Sequence, residues 1–244
     1  RNPPANSLAV GPDHIVQTVN ARMAIFTKKG ARYDITGKVL YGPVETRNVF
    51  RGFGGPCEKI NNGDAVVRYD QLADRWLIVM PTFNRLPSRH DSTVKLPQPG
   101  NAERLYEPPP PGPGDTTSAR RGPRPTPPPG STFCMCYAIS TGPDPFGPYY
   151  RYEFKRELFP DYPRPAVWPD GYYTSTSTGD NVIERHAYVV DRAKMLRGEE
   201  ATEQSFIIKD VNFLVNADLD GKQLPPPGAP NIMLATGGAQ LKNI

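Results

Sequence analysis

Residues 63–80 read GDAVVRYDQLADRWLIVM. Ala65, Val67 and Tyr69 alternate with Val66, Arg68 and Asp70, the period of two that marks a strand. Gln71-Leu72-Ala73-Asp74 is a short polar connection, and 75–80 is a second, more apolar run. Two such runs joined by a tight Asp-bearing turn predict an antiparallel hairpin. Pro81 lacks the N–H that a central ladder needs, so the second strand is expected to end there.

The Gly-Asp opening of this hairpin recurs. Gly11-Pro12-Asp13 precedes a β-branched run at 14–20, and Trp168-Pro169-Asp170 precedes an aromatic and β-branched run at 172–177. Further strands are expected at 21–27, 133–140, 149–154, 184–190, 206–209 and 231–236. Asp191 is placed to cap a short helix that Gly198 stops. With the Pro-rich segment removed, the spacing of Asp13, Asp64 and Asp170 approaches the ~40 to 50 residues of a propeller blade with long loops. The expected fold is therefore all-β, a β-propeller over 1–244 in which about four blades can be counted. Asp13, Asp64 and Asp170 are expected to stand before the innermost strands.

Composition agrees with strands and narrows the function. Hydrophobic residues are only 37%, but 30 prolines and 22 glycines account for much of that deficit. The net charge of +4 is too mild for a nucleic-acid binder, and the basic cluster of Arg120, Arg121 and Arg124 lies among prolines. No run approaches the roughly 18 apolar residues of a transmembrane helix. Three cysteines allow one disulfide and one leftover thiol. Arg1 is not an initiator Met, so a mature, processed or partial chain is expected.

Residues 96–130 break the pattern with Glu107-Pro108-Pro109-Pro110-Pro111 and Arg124-Pro125-Thr126-Pro127-Pro128-Pro129-Gly130. Such a stretch cannot bury enough apolar surface to repay its ordering and reads as a loop or extended arm inserted in the domain. As a docking arm it would offer Pro108, Pro109, Pro110, Arg120, Arg121 and Arg124 to a partner. A tolerated surface insertion is the plainer alternative.

The segments AVGPDHIVQTVN, FGGPCEKINNGDAVVRYDQLADRWL, YYRYEF, FPDYP with VWPDGYY, DRAKML, and ADLDG with PPPGAPN resemble a group of large secreted bacterial β-propeller proteins of mostly unassigned function. The resemblance covers most of the chain outside about 84–130. It implies a propeller, an exported location (extracellular or periplasmic) and a Cys57–Cys136 disulfide, with Cys134 as a substitute on the same strand face. Related chains continue past the equivalent of 231–244. Four blades leave an arc with open faces, so further blades beyond Ile244 or other protein subunits are expected to cover them.

The chemistry legible in the residues is modest. Asp13, Asp64 and Asp170 could converge on Ca²⁺ at a channel mouth, or each could cap its own turn. Asp218-Leu219-Asp220-Gly221 has part of a calcium-loop pattern without its later Glu, which adds Asp218 and Asp220 as metal candidates. His14, His90 and His186 show no metal-ligand spacing, and no nucleophile elbow, P-loop or zincin motif occurs. Tyr149, Tyr150, Tyr152, Tyr172 and Tyr173 could form a sugar platform, but aromatics at strand spacing more often fill a core. These residues favour a non-catalytic binding or scaffold module, a subunit of a larger assembly, with a glycan left open as ligand. The alternative is a carbohydrate-active hydrolase using channel-mouth carboxylates.

Overall fold

The computed structural model describes residues 5–84, 130–179, 184–209 and 211–237. Strands β1 (Asn6–Val10), β2 (His14–Val19), β3 (Arg22–Thr27) and β4 (Val39–Glu45) form a first sheet in chain order. A second sheet follows from β5 (Val66–Asp70), β6 (Arg75–Asn84), β7 (Thr132–Ser140) and β8 (Tyr149–Arg156). A third contains β9 (Pro160–Val167), β10 (Gly171–Thr178), β11 (Glu184–Asp191) and β12 (Glu203–Ile208). Strands β13 (Val211–Asn216) and β14 (Met233–Gly237) pair with each other. Every pairing is antiparallel between chain neighbours, so each four-stranded sheet is a blade-like meander.

The hairpin expected from residues 63–80 is β5–β6, with Val66 opposite Val79 and Asp70 opposite Arg75. Its second strand is the centre of the molecule. Trp76, Ile78 and Met80 enter a core shared with Val16, Met23, Ile25 and Phe50. Leu77 and Val79 enter another, with Tyr172, Val190 and Met195. A strand buried on both faces has no polar side to alternate with, which is why its sequence is a continuous apolar run.

The strand does not stop at Pro81 as expected but continues to Asn84, with Pro81 opposite Met135. The Pro81 carbonyl points toward Gly63, where an added Cβ would lie only 1.7 Å from that oxygen. The nitrogen of the same residue faces the same way, past the start of β5, so the β6–β7 ladder loses no donor. Asn84 pairs with Thr132, which makes the residues between them the connection of the β6–β7 hairpin. Apart from Gly130, the Pro-rich insertion lies outside the described residues, and so do Pro108, Pro109, Pro110, Arg120, Arg121 and Arg124.

Two helices are short. In α2 (Arg192–Arg197) the Asp191 side chain accepts from the Lys194 N–H, and Gly198 closes the helix at φ 71°, both as the sequence indicated. In α1 (Gly55–Lys59), Cys57 bonds to Cys136 of β7. That disulfide ties the irregular stretch after β4 to the second sheet, next to buried Phe50. Cys134 is a free, buried thiol.

First strands are neighbours across sheets: β1 lies beside β5, β5 beside β9 and β9 beside β13. Here the expected phase of the repeat is corrected. Asp13 and Asp170 precede β2 and β10, the second strands of their sheets, whereas Asp64 precedes β5, a first strand. The residue of the second sheet equivalent to Asp13 and Asp170 is Asp74, in the turn between β5 and β6. The error follows from two first strands that were not expected, β1 ahead of Asp13 and β9 ahead of Asp170, the latter carrying Pro160, Pro163 and Pro165 and not looking like a strand. Strand β9 pairs only with β10, and an edge strand tolerates prolines that a central one would not.

Candidate functional site

The first strands β1, β5 and β9 surround a cavity of about 1010 Å³. Asn6, Ser7 and Leu8 come from β1, Val66 and Arg68 from β5, and Asp161 to Arg164 from β9, with Asn20 and Asp64 beside them. On β5, strand alternation selects the lining. Val67 turns into the core while its neighbours Val66 and Arg68 turn to the cavity.

The polar side chains of the lining are held by hydrogen bonds. Asn20 Nδ2 donates to Asp64 Oδ1 at 3.2 Å. Arg68 Nε donates to the Pro165 carbonyl at 3.0 Å and lies 3.4 Å from Asp218 Oδ2. Arg164 Nε donates to the Leu214 carbonyl at 2.6 Å, and Nη1 to the Tyr162 carbonyl at 2.8 Å. Its guanidinium stands 4.4 Å from the Phe213 ring and 5.3 Å from the Tyr162 ring. Burial pulls the Arg164 pKa down to about 10, and Nη2 finds no acceptor among the described residues. Arg164 thus ties β9 to β13 and supports Tyr162 from below.

Tyr162 is the unusual residue. It adopts φ 51°, in the left-handed region that side chains other than glycine seldom occupy. The β9–β10 register shifts there, between Ser175 and Ser177, as at a bulge. Asp161 Oδ1 accepts from the Tyr162 N–H at 2.8 Å, which holds the kinked backbone. The side chain remains 55% exposed beside the cavity.

The carboxylates named as metal candidates stand in different segments. Asp13 and Asp170 sit in turns, and Asp170 Oδ2 accepts from the Tyr173 hydroxyl at 3.1 Å. Asp64 lines the cavity. Asp218 accepts from the Val167 N–H at 2.7 Å, and Asp220 follows it in an irregular segment. Among the described residues no group of three or more His, Cys, Asp or Glu side chains is placed to share an ion. His14 is buried against Tyr33 and Phe146, and His186 contacts Glu184 and Tyr188, while His90 lies outside the described residues. Tyr149 packs on the first core, Tyr150 and Tyr152 on the second, and Tyr172 is wholly buried, so these tyrosines serve as core.

Tyr162, Asp161 and Arg164 were not named as site residues from sequence, where FPDYP enters only through the family resemblance. The available signal was the proline spacing, which suits an edge strand. Among the described residues no helix is long and apolar enough to cross a membrane. No protein-family model matches the chain, and neither a curated protein nor a solved structure does.

Proposed function

We propose that the chain is an exported, non-catalytic β-propeller module that binds other molecules at its central cavity and serves as a scaffold within a larger surface or periplasmic assembly. The observation that carries this reading is the succession of meanders whose first strands adjoin one another around one cavity. The disulfide supports export, because such bonds persist chiefly in oxidising compartments.

The scaffold part rests on the first sheet. Its inner face carries Ala9, Val16, Met23 and Ile25 into the core. The opposite face carries Val10, Ile15, Phe26 and Val39, side by side in the register, with Leu8 two residues along β1 opposite Gln17. Leu8 is 50%, Val10 43% and Val39 53% exposed. In a propeller that face would meet a neighbouring blade, here supplied by more of the same polypeptide or by another subunit. Light scattering on the 244-residue chain is the test. Association that Leu8→Lys together with Val39→Lys abolishes would support the reading, and a cooperatively folded monomer of 27.0 kDa at high concentration would refute it.

A second reading, a carbohydrate-active hydrolase, is favoured by one observation: Asp64 and Asp161 both line the cavity. Calcium at the Asp218–Asp220 segment also stays a proposal, and added calcium should then raise the melting temperature of chelator-treated protein.

A further inference from the structure

We infer that the central cavity is a binding site for a neutral polysaccharide chain, with Tyr162 as the ring on which a sugar stacks. This rests on the reading of the chain as a binding module. The first support is Tyr162 itself. A left-handed backbone at a tyrosine is unfavourable, and a large ring more than half exposed to water contributes little to the core. The Tyr162 backbone is held, with Asp161 accepting from the N–H and Arg164 donating to the carbonyl, and the Arg164 guanidinium lies 5.3 Å from the ring centroid. An exposed ring at the edge of a cavity, carried on a backbone held by hydrogen bonds, is what stacking on an apolar sugar face requires.

The second support is charge. The lining carries two carboxylates, Asp64 and Asp161, and two guanidinium groups, Arg68 and Arg164. These oppose one another, so the lining favours neither a polyanion nor a polycation. Carboxylates that accept, the Arg68 guanidinium that donates and amides that do both, at Asn6 and Asn20, match the alternating donor and acceptor character of sugar hydroxyls.

A peptide is the obvious rival, and β9 argues against it. Peptides commonly bind sheet edges by adding a strand. Pro160, Pro163 and Pro165 remove N–H groups from β9, one of three edge strands at the cavity, which impairs that strand as a template.

The experiment is calorimetric titration of the 244-residue chain with cellohexaose, xylohexaose, mannohexaose and chitohexaose. Polygalacturonate and a lysine-rich peptide serve as charged probes, and reducing ends are assayed in parallel. Saturable binding of at least one neutral hexasaccharide is expected. Tyr162→Ala should weaken it about tenfold or more, Tyr162→Phe should keep most of it, and Asp64→Asn should weaken it. Tyr162→Gly, which accommodates the left-handed backbone, should also lose binding while melting like the wild type. No saturable binding to any neutral sugar, or binding that Tyr162→Gly leaves intact, would overturn the inference. Binding of a charged probe that depends on Tyr162 would overturn it while sparing the binding-module reading. New reducing ends would do the reverse, keeping the sugar and replacing the module by a hydrolase.

Discussion

Arg192 grips Asp70 with two nitrogens, Nε lying 2.7 Å from Oδ2 and Nη2 3.0 Å from Oδ1, across 122 residues of sequence. Asp70 ends β5 with no exposed surface, and Arg192 begins α2 at the edge of the third sheet. The Tyr172 hydroxyl donates to Oδ2 at 2.7 Å, while the Leu72 and Ala73 N–H groups donate to Oδ1. Burial and the adjacent carboxylate push the Tyr172 phenol well above its usual pKa, so it remains a donor. One carboxylate therefore joins the β5–β6 turn to the next meander.

Removing the cation should strand that carboxylate. Arg192→Met is expected to cost about 3 to 5 kcal/mol, because an unpaired buried charge remains. Tyr172→Phe removes one neutral donor and is expected to cost about 1 to 2 kcal/mol. Urea unfolding measures both, and equal losses would show that the charge pairing is not what holds the two sheets.

The cysteines should behave oppositely. Cys57 and Cys136 close a loop 79 residues apart in sequence, so Cys57→Ser with Cys136→Ser should lose up to about 4 to 5 kcal/mol on chain-entropy grounds. Burial pushes the Cys134 thiol up to about 11, leaving roughly one in a thousand ionised at pH 8. Iodoacetamide should therefore spare Cys134 in the folded protein and label it once urea unfolds the chain. Fast native labelling, read by peptide mass, would contradict this burial.

Stability should fall on mild acidification because of His14. Burial, the largest influence, lowers its pKa below 6.5, and Arg32 lowers it further while Asp144 and Asp13 oppose. The folded state then binds fewer protons at this site than the unfolded state. The stabilisation conferred by neutral His14 is complete above about 6.5 and is lost as pH falls through the lowered folded value. Denaturation midpoints at pH 7 and pH 5.5 should differ more for the wild type than for His14→Gln, and equal differences would dismiss His14 as the cause.

What the sequence by itself determined was the local chemistry. The hairpin at 63–80, strand β7 after it and the Asp191–Gly198 bounded helix are legible, because periodicity, capping and turn residues act within a few positions, whereas β4 lies in a Gly-rich stretch that reads as irregular. The Cys57–Cys136 bond was legible only through resemblance, since Cys134 sits on the same strand face. Only tertiary structure decided which strands of neighbouring meanders lie beside one another. Strand β9, with three prolines, becomes ordered because β10 covers one edge and Arg164 and Asn216 link it to β13. Tyr162 likewise gains its place from partners distant in sequence. A cavity is made of side chains contributed by separate strands, and no window along the chain contains the contacts that shape it.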